Sequence, residues 1–555
     1  MKYINKKHLL LSLAVVLFSI SGCKKFTDEN NLGGQTAETY YNTPAGFEDL
    51  VKSNYSTLRG IVNFGGLYFI GTDVFSSPGI NDNNSENLYN TNLNSFNGDV
   101  DGYFRQIYSA INIANNSIYW ATKVTNGNAA NINIRVAEAK ALRAYYYYLL
   151  TETFGDVPVV LTRTTVINFI FTRTPEKDVY TQIIQDLNDA LAVLPATTTD
   201  FGRVTKGFAQ HLLSKVYLTR GYKSYGGGNA DFQLAATNAE AVIAGPYSLK
   251  TKYADLFDPA ISNFQVNNEV IFSVQYSTNT NAGANGSGNS LQQYFMWDTQ
   301  NTGLVGRSTF YGKTNNAASL DPYWFSLFDK TRDSRYLANV YDVVYVQVAG
   351  SYNSKTFAVG DTLIYYPTVP FTAAQKAEKK YVVINPDEYR NSPFVSGQRN
   401  YPQFKKFRDP GVPGYVDGGG TRDTYVFRLA ETYLIAAEAY LKTGNLPKAL
   451  QYFNAIRVRA AKPGNNPLTG IAYSTEMQAS TLTIDDILDE RVRELTGEEF
   501  RWFELKRTST LVARVLTYND EAKAANAIKA FHLLRPIPQA VIDLNRETFP
   551  QNPGY

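Results

Sequence analysis

The groups that could do nucleophilic, acid–base or metal chemistry in this chain are few: one thiol, Cys23, and three imidazoles, His8, His211 and His532. Cys23 follows Lys2, Lys6 and Lys7, then an apolar run from Leu9 to Ile20 broken only by Ser12 and Ser19, then Ser21 and Gly22. The run is too short to span a bilayer. Ile20-Ser21-Gly22-Cys23 is the arrangement at which a lipoprotein signal is cut and the thiol takes up diacylglycerol. An ordinary secretory signal would need only the small residues; the sole cysteine of the chain at this place favours the lipoprotein reading. Two or more acyl chains then hold a protein on a membrane without its crossing it.

His8 leaves with the signal. His211 lies within a predicted helix, 204–219, and reads as packed; His532 precedes the apolar LLRPIP stretch. A histidine triad or zinc site lacks partners, and a lone cysteine allows neither a disulfide within the chain nor a cysteine metal site. A carboxylate pair of glycosidase type stays open, because its separation is a property of the fold. The body therefore reads as a binding scaffold, not an enzyme, with no cofactor and no metal site.

The chain carries 53 Lys+Arg against 50 Asp+Glu. Removal of residues 1–22 takes three lysines and no acid, leaving 50 against 50. A neutral body argues against nucleic-acid binding and against a polybasic membrane surface. Tyr 40, Phe 32 and Trp 4 make up 14% of the residues. Tyrosine suits both helix packing and carbohydrate-contacting surfaces.

Residues 1–22 are read as signal peptide, 23–35 as a lipid-anchored tether, and 36–555 as one domain. Within it, 36–260 is an N-terminal helical half, 261–425 a loop-rich insertion with short strands, and 426–555 a C-terminal helical part. Helical spacing is expected over 40–55, 103–120, 135–154, 179–194, 204–219 and 232–244, with 63–100 as a long Gly/Asn/Ser-rich loop. Gly155 and Pro195 end two of these helices. In Tyr433–Arg457, Tyr440, Gly444, Leu446, Ala449, Phe453 and Ile456 follow at steps of 4, 2, 3, 4 and 3. That is tetratricopeptide spacing, and Phe232, Ala235, Ala239 and Val242 form a degenerate copy. The fold expected is mainly α, a helical-repeat scaffold carrying a partly β, ligand-facing insertion. Glu269–Tyr276 and the stretch from Val340 to Val383 read as short strands. The charges of Asp489–Glu494 are spaced for ion pairs within a helix and, with Arg501, Trp502 and Arg507, for a packed polar network. Arg143 is read as a structural partner, and Gln551–Tyr555 as docking the chain end.

Seven segments in order resemble the SusD/RagB family of outer-membrane nutrient-binding lipoproteins. They are AEAKALRAYYYYLLTETFGDVPVV (137–160), GRVTKGFAQHLLSKVYL (202–218), NEVIFSVQY (268–276), YPQFKKFRDP (401–410), VFRLAETYLIAAEAYLKTGN (426–445), LDERVRELTGEEFRWFELKR (488–507) and LLRPIPQAVIDLN…FPQNPGY (533–555). The resemblance implies a surface lipoprotein that captures an oligosaccharide or other nutrient and delivers it to a SusC-like TonB-dependent transporter. A structural or protein-binding lipoprotein, or a peptide-binding member, is the alternative. It also implies a ligand surface built from the long N-terminal loops and from the insertion. The candidate contacts there are Tyr68, Phe69, Asp73 and Phe75, then Tyr294, Trp297, Asp298, Arg307, Tyr311 and Trp324. Trp297 beside Asp298 is the leading pair, since aromatic rings stack on sugar C–H faces and carboxylates accept from hydroxyls.

Overall fold

A computed structural model describes residues 35–62, 64–77, 79, 83–276, 288–295, 302–305, 311, 318–389, 400–409, 420–498 and 500–555. Eight helices carry the frame: α1 (Pro44–Val62), α2 (Gly98–Ala121), α3 (Ala129–Phe154), α4 (Glu176–Val193), α5 (Lys206–Gly221), α6 (Asn229–Ile243), α7 (Leu429–Lys442) and α8 (Leu446–Ala460). Their starts follow local chemistry. Asn97 and Asn128 cap α2 and α3 by accepting from the backbone N–H groups of Val100 and Asn131. Pro leads α1, and Glu176 and Asp178 sit in the first turn of α4, where the helix dipole favours acids.

Each helix packs on the next in chain order, α1 through α8. The stack continues from α6 to α7 although 185 residues of other structure separate them in sequence. The repeat pattern expected from the sequence is therefore a physical stack. Ala235, Ala239 and Ala449 are fully buried where helices approach, and Phe232, Val242, Phe453 and Ile456 fill the seams. Tyr440 and Tyr452 stack at 5.9 Å, and both hydroxyls donate to Glu240 of α6, at 2.7 and 2.8 Å.

From Ala137 onward α3 is buried on nearly every side, as a helix at the centre of a bundle must be. Its four consecutive tyrosines point four ways. Tyr145 packs edge-on against Phe427, and Tyr146 donates to the Asn54 carbonyl at 2.7 Å. Tyr147 donates to the Val160 carbonyl at 2.9 Å, and Tyr148 meets Thr219 Oγ1 at 3.1 Å. Arg143 makes a two-pronged ion pair with Asp186 of α4, both contacts 2.8 Å. The structural partner expected for this arginine is thus in place.

The insertion is tied to the stack by strand β2 (Val270–Val274), antiparallel to β11 (Thr424–Arg428). Short pairs complete it: β1 (Phe75–Ser76), from the N-terminal loop, with β3 (Ser319–Leu320), and, between β2 and β11, β4 (Val340–Tyr341) with β10 (Gln403–Phe404) and β6 (Gly350–Tyr352) with β7 (Lys355–Phe357). The largest unit is the three-stranded β5 (Val343–Tyr345), β8 (Thr362–Tyr365) and β9 (Val382–Val383). These surround a second core of Phe295, Trp324, Phe328, Tyr336, Tyr401 and Phe404.

Charge is concentrated between the stack and the insertion. In helix α9 (Ile484–Leu495), only Arg493 with Glu490 forms the expected pair inside the helix. The other members reach outward. Arg335 holds Asp333, Glu490 and Glu494 at 2.7, 2.7 and 3.1 Å. Arg428 holds Glu269, Glu494 and Glu498 at 2.6, 3.1 and 2.5 Å. Arg491 bridges Glu431 and Glu504. His211 sits in the same lattice, Nε2 3.1 Å from Glu431 and Nδ1 2.8 Å from Thr432, and burial lowers its pKa. The chain end is docked as expected. Asn552 donates to the carbonyls of Phe154 and Arg535 at 3.0 and 2.8 Å, and Tyr555 donates to that of Leu534 at 2.8 Å.

Candidate functional site

The structure brings most of the sequence candidates together, but inside the molecule. Tyr68 is 1% exposed and stacks on Phe500 at 4.3 Å. Phe69 and Phe75 meet edge-on at 5.6 Å, and Phe75 lies 5.1 Å from Phe295 in the second core. Asp73 is fully buried between Arg501 (2.8 and 2.7 Å) and Arg514 (2.8 Å). Burial would raise its pKa, and the two guanidinium groups overturn that and hold the carboxyl low. Trp324 is 0% exposed and donates to Thr496 Oγ1 at 2.8 Å. Tyr311 is buried, its hydroxyl accepting from Tyr345 N–H at 2.7 Å and its ring 5.6 Å from that of Tyr341.

All six residues are buried, where the sequence reading expected them on a ligand-facing surface. The stretch 63–100 is short of regular structure, as its composition suggested, yet its aromatic residues serve the insertion's core because β1 is drawn against β3. A loop rich in Gly and Asn can still be an interior loop when distant segments satisfy its polar groups. Tyr294 is half-buried; its hydroxyl and the exposed Asp99 carboxylate flank Gly66. Burial, with Asp99 and Glu86 nearby, pushes that phenol's pKa up. Trp297, Asp298 and Arg307 lie outside the described residues.

An open pocket of about 480 Å³ lies one ring beyond Tyr311, lined by Phe257, Asp258, Leu337, Tyr341, Lys405 and Arg408 among others. Its volume falls within the ~300–1,000 Å³ of small-molecule sites. The register of two short strands builds it. Gln403 pairs with Tyr341 and Phe404 with Val340, and Lys405 N–H then donates to the Asn339 carbonyl at 2.7 Å. A turn follows, Arg408 N–H to the Lys405 carbonyl at 2.9 Å, which sets both cations beside Tyr341. The Lys405 ammonium stands 4.7 Å from the Tyr341 ring centre. Arg408 donates to the Tyr341 hydroxyl at 3.4 Å and lies 3.9 Å from Asp258. Burial lowers the pKa of Lys405, with Asp342 and Asp258 opposing and Arg408 reinforcing. One carboxylate against two cations suits a hydroxyl-bearing or anionic ligand better than a metal ion.

This pocket was missed in the sequence. Tyr341 stood in a strand pattern and Lys405 and Arg408 in YPQFKKFRDP, a segment quoted for the family resemblance alone. The available signal was a lysine and an arginine three residues apart just after an alternating strand.

The SusD family model matches residues 256–555, more than half of the chain. The chain belongs to the SusD family. A second model, described as starch-binding and associating with the outer membrane, matches residues 69–218. Over nearly its whole length this SusD-family chain is similar to SusD-like protein P2 of Formosa agariphila, at 26% identity over 573 aligned positions, covering 99% of this chain and all of the relative. It is 23% identical to the starch-binding protein SusD of Bacteroides thetaiotaomicron over 437 positions, 76% of this chain and 72% of that one. Its fold matches a solved laminarin-binding SusD-like protein with a TM-score of 0.68 at 22% identity, covering 92% of this chain and all of the other. The helical stack with a partly β insertion is thus a SusD fold, and it is mainly α, as the periodicity indicated.

Proposed function

We propose that this SusD-family chain is a non-catalytic glycan-binding lipoprotein of the outer-membrane surface, anchored through Cys23, that passes its ligand to a SusC-like TonB-dependent transporter. The observation that carries the reading is the open Tyr341 pocket, where an aromatic face, a carboxylate and two cations converge beside the insertion. Rings take sugar C–H faces, and charged groups take hydroxyls. The names of the relatives, starch-binding and laminarin-binding, support a polysaccharide as ligand class. Among the described residues no helix is long and apolar enough to cross a membrane, which agrees with attachment by lipid. Tyr294 with Trp297 and Asp298 stays a second proposed contact region.

The test is a polysaccharide panel presented to the mature protein in detergent, followed by calorimetry and an assay for released reducing ends. Saturable binding with no product is expected; turnover, or silence across the panel, would sink the reading. Recovery of an outer-membrane barrel with the tagged protein is expected for the partner claim, and its absence from native membranes would count against that claim alone.

A second reading, a lipoprotein that binds protein, rests on a different surface. A groove of about 340 Å³ runs between α2, the segment 158–171 and the C-terminal segment 541–549, walled by Phe104, Tyr108, Phe171 and Phe549. Leu544 lines it, and Val166, Ile167 and Ile170 stand exposed within the same segment 158–171. Patches of this kind mark contact surfaces. Loss of barrel recovery in Ile167→Asp, with glycan binding intact, would join the two readings as two faces of one protein.

A further inference from the structure

We infer that the Tyr341 pocket selects saccharides bearing an anionic group, a carboxylate or a sulfate, over neutral ones; this rests on the glycan-binding reading above. The inference comes from comparing two adjacent lysines. Lys406 is fully buried, and its ammonium meets Glu498 at 2.6 Å and donates to the carbonyls of Glu494 and Thr496 at 3.2 and 3.0 Å. Lys405, one residue earlier, faces the pocket. Among the described residues its ammonium has no carboxylate within ion-pair distance and no hydrogen-bond acceptor; the contact it makes is with the Tyr341 ring.

A half-buried ammonium that has lost part of its water and gained only a ring face is incompletely compensated, and burial depresses its pKa accordingly. Three arginines of this region, Arg335, Arg428 and Arg459, are each matched to two or more carboxylates, and the buried Arg422 donates to the carbonyls of Phe257 and Arg408 at 3.3 and 3.0 Å; Lys405 has neither kind of partner among the described residues. Among the described lining residues Asp258 is the one carboxylate, exposed and 3.9 Å from Arg408; Asp342 also acts on Lys405, but neither carboxylate pairs with it, which leaves its ammonium to a visitor. A ligand carboxylate or sulfate placed between Lys405 and Arg408 would restore the missing compensation by charge-assisted hydrogen bonds. The Tyr341 ring and the edge of Phe257 would line the sugar's apolar face. Lys405 and Arg408 are thus specificity-determining residues for the charge of the ligand.

The experiment measures affinities of the mature protein in detergent for three oligosaccharide sets matched in length: oligogalacturonates, sulfated galactans and neutral laminari- or malto-oligosaccharides. One acidic set is expected to bind at least about tenfold tighter than the neutral sets, with the preference shrinking as salt rises. Lys405→Met should bring acidic and neutral affinities to within about twofold by weakening acidic binding, with the melting temperature unchanged. Arg408→Gln should weaken acidic binding in the same direction, and supplies the answer if Lys405→Met folds poorly. Lys177→Ala, an exposed lysine on α4, should change nothing and controls for attraction to any polyanion. Which acidic set binds distinguishes carboxylate from sulfate. Neutral ligands binding as tightly as both acidic sets, or acidic binding indifferent to both substitutions, overturns the inference and leaves the glycan reading standing. Failure of every saccharide to bind overturns both.

Discussion

Asp73 and Lys405 show opposite fates for a charged residue in a loop. Asp73, chosen from the sequence as a hydroxyl acceptor, is spent on Arg501 and Arg514 and cannot meet a ligand. Breaking a buried ion pair by removing one partner leaves uncompensated charge, so Asp73→Asn is expected to destabilise the protein by ~3 kcal/mol or more. A lowered urea midpoint would report it; a midpoint equal to the parent's would show that the two arginines have found other partners. Nothing local in Gly71-Thr72-Asp73-Val74 distinguishes a buried acid from an exposed one. Its partners lie more than 400 residues away, and a single sequence does not pair them.

The helices were legible because their boundary signals are local. Gly155 ends α3 where the sequence indicated, with φ +74° and Leu534 side-chain carbon 3.1 Å from where a Cβ would stand. Gly444, in the tetratricopeptide turn, has φ +79° and open space around it. Both substitutions to alanine should therefore destabilise, Gly444→Ala by about 1 kcal/mol from backbone strain alone. Gly155→Ala should cost more, on the order of 2 kcal/mol, because the Leu534 side chain must also give way. Thermal melts of the two variants check the order, and an equal or reversed pair would refute the role given to Leu534. The strands were legible where a short apolar run stands out, as in Val270–Val274, whereas the interior character of 65–77 was not. Its partners, β3 in the insertion and Phe500 in the C-terminal part, are both distant in sequence.

Across the whole molecule, buried charge lies where the two cores meet, and Phe500 packs against both of them. Burial alone would raise the carboxyls of this lattice and of a second ionic cluster, in which the buried Glu152 of α3 meets Lys223 and Lys506 at 3.0 and 3.3 Å. Arginines and lysines instead hold Glu494 and Glu152 at about 2, and hold Glu431 and Glu504 low as well. A carboxyl with a depressed folded pKa stabilises fully above its unfolded value, 4.5, and loses that contribution as pH falls toward its folded value. The melting temperature should be flat from neutrality to about pH 5 and then drop steeply toward pH 2. A gentle slope without a break below pH 4.5 would mean that these ions do not bind the halves together. The neutral formal charge read from the sequence holds for the sum, but it hid this internal separation of roles.

The strand pair β4–β10 has a consequence for engineering. Its backbone is fixed from behind, with Asn339 receiving Lys405 N–H and its side chain accepting from the Tyr253 hydroxyl at 3.0 Å, while Arg335 anchors the preceding turn. Its front carries the side chains of Tyr341, which packs against Tyr311 at 5.6 Å, and of Lys405 and Arg408. The recognition groups can thus be exchanged like type in a press, letter by letter, without recasting the frame. A library varied at positions 258, 341, 405 and 408 should stay folded while its ligand preferences diverge.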